Sequence, residues 1–371
     1  MASLVEGLGG LTTGYPCAHA LPAREVRPVR NVVLFVIDGL GYRLLETIGR
    51  DGFLHSRLRG RLTSVFPSTT ATAVTTFLTA QPPQQHGLTG WFTWFRELGD
   101  ILAVLPFVPR HKGPPLTEAG IDPVEFFGHT SMFDRIAVRG EQVMPAHIAH
   151  SAFNRGHCGH ARVRPYEDMK GFFRAVRQAL KGGERSFVHA YWADVDGLSH
   201  EFGPSSPEVA DHVLQLDAAM GEFVRKIDGS DTLVVVTADH GLIDTAPELT
   251  VHVEDHPPLA DSLLMPLSGE PRAAYCYIHP HREQTFLDYC RGELGDFMEV
   301  VPSRELLRAG WFGTGQPHPA LADRIGHYTL IMKDHFTIKD HVVGERVFSH
   351  LGVHGGVSEE EMFVPLIIIP T

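Results

Sequence analysis

Asp239 and His240 stand side by side after the apolar run Thr232-Leu-Val-Val-Val-Thr-Ala238, and both side chains can bind a divalent metal. Alone, such a pair says little. Four more positions of similar chemistry follow one another along the chain: Asp38, Thr70, Asp196 with His200, and His354. Asp38 closes Asn31-Val-Val-Leu-Phe-Val-Ile37 and precedes Gly39. Asp196 and His200 have DxxxH spacing just after Ser186-Phe-Val-His-Ala-Tyr-Trp192. His354 lies in Leu351-Gly-Val-His-Gly-Gly356, whose glycines let the backbone fold closely around a side chain. Each has a plainer reading by itself: Asp38 as an Asx-turn or helix cap, Thr70 as a cap, His200 and His354 as loop hydrogen-bond donors. As an ordered set they offer three ligands to each of two divalent ions and one hydroxyl nucleophile. That is the equipment of a two-metal hydrolase of phosphate esters.

The elements that must position these groups are readable around them. Asn31–Ile37, Ser186–Trp192 and Thr232–Thr237 are apolar runs of strand length, as expected of central strands covered on both faces. Val364 to Ile369 reads as a late buried strand. Helical patterns cover Arg43 to Ile48, Asp168 to Lys181 and Pro207 to Ile227; in the last, Val209, Val213, Leu216, Met220 and Phe223 recur every three or four residues. After Pro67 the chain turns helical, with Ser68 or Thr69 as cap and an end near Thr79. Residues 1–30 read as an irregular lead-in. Alternating strands and helices predict an α/β fold: a largely parallel central sheet with helices on both faces. Ligands of such sheets bind beyond the carboxyl ends of the strands, where the candidate residues fall. We expect one catalytic domain over residues 1–371, with lid or rim segments at 88–165 and 245–325.

Composition narrows the partners. The net charge of −12 argues against a nucleic-acid scaffold, which needs a basic stripe, but not against a small anionic substrate whose field is reversed by metal ions. The four cysteines, Cys17, Cys158, Cys276 and Cys290, lack CxxC spacing and read as reduced thiols. No secretory leader and no membrane-spanning apolar stretch is legible, so the expected location is cytoplasmic, with no membrane partner. The oligomeric state is not readable.

The sequence resembles the alkaline phosphatase superfamily, and within it the type I phosphodiesterase/nucleotide pyrophosphatase family. The matching stretches are Val36-Ile-Asp-Gly39, Phe66-Pro-Ser-Thr-Thr70 through Gln85-His-Gly87, Asp196 to His200 with Gly203-Pro204, Thr237-Ala-Asp-His-Gly241 and Val353-His-Gly355. The resemblance implies an alkaline phosphatase-like fold and two divalent metals, one held by Asp38, Asp239 and His240, the other by Asp196, His200 and His354. It implies Thr70 as nucleophile through a phospho-threonine intermediate, with Thr69 and Ser68 as alternatives by a slip of one or two residues. Mixed O/N donor sets with open positions suit Zn²⁺, with Mn²⁺ or Fe as alternatives. The implied substrate is a small phosphate ester, a nucleotide among the candidates.

The pattern also departs from the family. Trp91 stands, by spacing, where nucleotide pyrophosphatases place an Asn that contacts a phosphate oxygen. Trp91, Phe92, Trp94 and Phe95 could stack on a base, or pack a lid onto the body. Asp194, two residues before Asp196, could orient a ligand. A phosphomonoesterase or phosphonoacetate hydrolase on the same metal core is the alternative activity. A metal-binding regulatory protein on a hydrolase scaffold is the alternative from a different class.

Overall fold

The computed structural model describes residues 1–10, 13–345 and 349–371. Its main sheet has seven strands, in the order Leu58–Thr63, Phe363–Pro370, Thr232–Thr237, Asn31–Ile37, Ser186–Trp192, Arg139–Pro145, Arg162–Tyr166. Thr232–Thr237 through Arg162–Tyr166 pair in parallel, and Phe363–Pro370 runs antiparallel to both its neighbours. The expected α/β class with a largely parallel sheet is what the chain adopts.

The three central apolar runs form strands with the expected bounds, each buried along its whole length. Alternation along Asn31–Ile37 sends Val32, Leu34 and Val36 into one core and Val33, Phe35 and Ile37 into another. The second core is closed by helices Met169–Ala179 and Pro207–Lys226, through Phe172, Phe173, Val176, Val213, Met220 and Phe223. The first is closed in part by Val74 and Leu78 of helix Thr70–Thr79. The lead-in is less irregular than its composition suggests: Ala2–Gly7 and Ala23–Val26 are short helices, and Leu4, Val5 and Val26 belong to the first core.

A second sheet of seven strands gives no periodic signal in the sequence. It is antiparallel throughout and runs Met298–Pro302, Tyr328–Met332, Ala273–Cys276, Ser268–Glu270, Phe92–Phe95, Asp100–Ala103, Val108–Pro109. Its strands are two to five residues long, too short for alternation to stand out. It draws on both segments expected to form a rim. The later part of 88–165 does something else, supplying Arg139–Pro145 and Arg162–Tyr166 to the main sheet. No helix among the described residues is long and apolar enough to cross a membrane.

Two buried histidines, His157 and His189, and the half-buried His129 predict an acid-sensitive fold. Burial lowers His129 to about 3 and His157 and His189 to about 4. The folded values lie below the unfolded value of about 6.5. The unfolded chain therefore binds more protons between about 3 and 6.5, so stability is complete above that window and is lost as pH falls through it. At pH 5 each histidine costs about 2 kcal/mol. Neither ring nitrogen of His189 has a hydrogen-bond partner. Thermal melts of His189→Leu should show a higher midpoint than wild type at pH 7.5 and a smaller drop on going to pH 5; a drop equal to wild type would refute the assignment.

Candidate active site

The parallel strands end together, and the candidate residues collect beyond that edge. Ile37 pairs with Trp192 and Val36 with Thr237, so Asp38 and Asp239 emerge from adjacent strand ends. Asp239 and His240 are almost fully buried, as is Asp38. Gly39 follows with φ 75°, and a Cβ there would sit 3.0 Å from the Cα of Asp196. The glycine thus lets the Asp196 backbone come up against the strand end.

Asp196 and His200 do not lie in a loop. They occupy helix Asp194–Phe202 one turn apart, so both project from one face. His200 Nε2 is 3.3 Å from Asp196 Oδ2, and His354 Nε2 is 3.8 Å from Asp196 Oδ1. On the other side, His240 Nε2 lies 3.3 Å from Asp38 Oδ1 and 3.7 Å from Asp239 Oδ2. The rings of His240 and His354 stack with centroids 3.8 Å apart, joining the two halves.

Among the described residues, two groups of donor atoms could each hold a cation: Asp38, Asp239 and His240, and Asp196, His240 and His354. The first coincides with the expected triad. The second differs, because His240 and not His200 completes it; His200 adjoins it through Asp196, its Nε2 drawn to the carboxylate. All three histidines donate Nδ1–H to a backbone carbonyl: His200 to Gly352 at 2.8 Å, His240 to Gly241 at 3.0 Å and His354 to Ser68 at 3.2 Å. Fixing Nδ1 in this way turns every Nε2 inward, the usual orientation for an imidazole that meets a metal.

The electrostatics call for a cation. Asp38 Oδ1, Asp196 Oδ1 and Asp239 Oδ2 are buried with no hydrogen-bond partner. Burial, then the neighbouring charges of Asp239 and Asp196, push the Asp38 carboxyl well above the usual carboxylate range. Tyr191, not expected from the sequence, donates its hydroxyl to Asp38 Oδ2. Burial also works against charge on Asp196, but His200, His354 and His240 outweigh it and hold that carboxyl below its ordinary range. Asp196 in turn overcomes burial at His200 and raises it to about 9. Three carboxylates turned toward one another with buried, partnerless oxygens fit divalent cations.

Of the three successive hydroxyls, only that of Thr70 faces this pocket. Its Oγ1 is 3.1 Å from His240 Nε2. Ser68 donates to the Gly356 carbonyl at 2.8 Å. Thr69 is the N-cap residue by position, yet its side chain makes no capping bond and donates instead to Glu270 Oε1 at 2.7 Å. The first backbone N–H groups of helix Thr70–Thr79 are therefore left without a side-chain cap, pointing out of its amino terminus.

Other expected positions fall outside the cluster. Asp194 is exposed at the start of its helix. His86 is fully buried and structural: Nε2 meets Thr76 Oγ1 at 3.1 Å, and Nδ1 accepts the Leu88 N–H. The Trp91 side chain is 37% exposed, while its backbone N–H donates to Glu270 at 2.5 Å. Glu270 is the acidic residue that the sequence did not disclose, sitting in a three-residue strand of the second sheet. A buried ion pair, Arg272 to Glu361 at 3.0 Å, anchors the same sheet to the His354 loop, because Glu361 also accepts the Gly356 N–H at 2.7 Å.

The sequence profile of the family described as Type I phosphodiesterase / nucleotide pyrophosphatase matches residues 32–356. The chain belongs to this family. Its members are metal-dependent phosphoric ester hydrolases, and both donor groups lie within the matched span. Among solved structures, murine ectonucleotide pyrophosphatase/phosphodiesterase 5 (ENPP5) superimposes with a TM-score of 0.65 at 16% identity, over 90% of this chain and 87% of that one. Phosphonoacetate hydrolase from Sinorhizobium meliloti 1021, in complex with phosphonoformate, gives a TM-score of 0.66 at 18% identity, over 92% and 90%. These likenesses establish the alkaline phosphatase-like fold. Among curated sequences, the catalytic subunit of mouse GPI ethanolamine phosphate transferase 3 is 32% identical over 72 residues, 19% of this chain. Human ENPP5 is 25% identical over 165 residues, 41% of this chain. The chain matches only 6% of the length of the first and 32% of the second.

Proposed function

We propose that this protein is a two-metal phosphodiesterase or nucleotide pyrophosphatase that acts through a phospho-threonine at Thr70. The observation that carries the reading is the Thr70 hydroxyl 3.1 Å from His240, the residue shared by both groups of donor atoms. Asp38, Asp239 and His240 would hold one ion; Asp196 and His354, with His200 beside them, would hold the other. Zn²⁺ suits these O/N donors best, with Mn²⁺ or Fe as alternatives, and a bound pair supplies Lewis-acid stabilisation of the attacking and leaving oxygens.

The chain's own groups do the rest. The uncapped N–H groups at the start of helix Thr70–Thr79 hydrogen-bond the non-bridging phosphoryl oxygens. Thr70 Oγ1 gives up its proton and forms a bond to phosphorus as the bond to the leaving oxygen breaks; the departing group takes up a proton, leaving a phospho-threonine. Water then attacks the same phosphorus and releases the Thr70 hydroxyl. The inactive murine ENPP5 form bearing a threonine-to-alanine change, solved in complex with AMP, supports both a threonine role and a nucleotide-like substrate. A cytoplasmic location belongs to this proposal and is checked by fractionation of the native host.

The phosphonoacetate hydrolase likeness favours a second reading, a phosphonate or monoester substrate on the same core. Hydrolysis of bis-p-nitrophenyl phosphate against p-nitrophenyl phosphate, with Zn²⁺ or Mn²⁺ added, separates the two. Faster diester turnover is the expected result, and monoester preference would transfer the proposal to the second reading. Bound metal without turnover of either ester or of phosphonoacetate would leave a regulatory protein on a hydrolase scaffold.

A further inference from the structure

Glu270 comes from the second sheet, yet it packs between the start of the Thr70 helix and the loop that carries His354. Its carboxyl is buried, and Oε1 accepts two bonds, from the Thr69 hydroxyl at 2.7 Å and the Trp91 N–H at 2.5 Å. Thr69 adjoins Thr70, so the Glu270 carboxyl is bonded one residue from the proposed nucleophile, at the start of the helix. It is also pressed against the loop that carries His354. Gly355 has φ 105°, and a Cβ on it would lie 2.7 Å from the Cβ of Glu270. The third wall is the Gly90–Trp91 turn, where a Cβ on Gly90 would lie 2.7 Å from the Cα of Gly269.

Nucleophile helix, His354 loop and second sheet therefore converge on one carboxyl. Its two hydrogen-bond donors are neutral, a hydroxyl and an amide. Burial raises it to about 7, although the Thr69 and Trp91 bonds and the His240 and His200 charges pull the other way. At pH 8.5 it is a carboxylate, and nearby cations only favour that form.

We propose that Glu270 is a specificity-determining residue, a fixed negative charge beside the phosphoryl pocket that disfavours dianionic monoesters relative to monoanionic diesters. A monoester above pH 7 carries one more negative charge than a diester, on the non-bridging oxygens that face the helix start. The two donors to Oε1 lock the carboxylate in place, so it cannot swing away when that charge arrives. The proposal deepens the functional reading given above and rests on it.

The test is Glu270→Gln, which preserves an oxygen acceptor for Thr69 and Trp91 and removes only the charge. With the Zn²⁺-loaded enzyme at pH 8.5, the ratio of kcat/KM for p-nitrophenyl phosphate to that for bis-p-nitrophenyl phosphate should rise by about tenfold or more. Inorganic phosphate, titrated calorimetrically, should bind the variant about fivefold tighter at pH 8.5, and the gain should shrink toward pH 6 as the ligand loses its second charge. Glu270→Ala, which also loses the contacts to Thr69 and Trp91, should shift the ratio in the same direction and serves if the Gln variant fails to fold. An unchanged ratio and unchanged phosphate affinity in a folded variant overturn the proposal. If the wild type hydrolyses neither ester, the functional reading fails, and phosphate binding alone then decides the role of Glu270.

Discussion

Thr70→Ala should lose diester turnover by roughly 10³- to 10⁶-fold while the protein folds and binds metal as before. The hydroxyl is the only one of three neighbouring hydroxyls directed at the histidine shared by the two donor groups. Its loss removes the atom that bonds to phosphorus, and nothing adjacent replaces it: Ser68 is turned to Gly356 and Thr69 to Glu270. The structural cost is small. Thr70 is the first residue of its helix, a position where Ala is well tolerated, and its one polar side-chain contact is to His240. Acid-quenched wild type incubated with labelled diester should carry label on Thr70, and the variant should carry none. Thr70→Ser keeps the nucleophile and should retain part of the rate. Full activity in Thr70→Ala would dispose of the covalent mechanism.

Stripping divalent metal with a chelator should abolish turnover and lower the melting temperature together, with Zn²⁺ restoring both. The cause lies in Asp38, Asp196 and Asp239, which face one another with partnerless oxygens in a buried pocket. Ligand present at about 1,000 times its Kd stabilises the fold by about 4 kcal/mol, so the shift is well within reach of a thermal melt. Asp38→Asn should then behave in opposite ways. Without metal it removes one of three repelling carboxyls and raises the midpoint; with metal it forfeits a ligand and abolishes most of the Zn²⁺-induced rise. A wild-type midpoint indifferent to chelator and Zn²⁺ alike would refute the metal assignment.

The central architecture was legible because it is the part most dominated by burial. Asn31–Ile37, Ser186–Trp192 and Thr232–Thr237 are covered on both faces, and unbroken apolar runs are what such strands require. The acids and histidines at their ends were legible as chemistry because polar metal-binding residues there have few structural reasons to recur in order. Helix Asp194–Phe202 escaped notice. Gly197 and Ser199 weaken its helical propensity, although the i, i+4 spacing of Asp196 and His200 was itself a helical signal. The second sheet was invisible for a different reason: its partners come from 92–109 and 268–332, and its strands carry too few residues to show a period. Glu270 went unseen with it. The Thr69 hydroxyl was expected to cap a helix on local grounds, and a long-range carboxylate partner claimed it instead.

The His354 imidazole donates to the Ser68 carbonyl across 286 positions of the chain. A ribosome adding about 5–20 residues per second takes roughly 15–60 s to travel from one to the other. From residue 240 onward the nascent polypeptide owns the Thr70 hydroxyl and all three acids, yet it still lacks the last imidazole and the strand Phe363–Pro370 that lies between the sheet's edge and Thr232–Thr237. The candidate site therefore stays one imidazole short until residue 354 has been added, and the loop that carries it closes onto Ser68 only then.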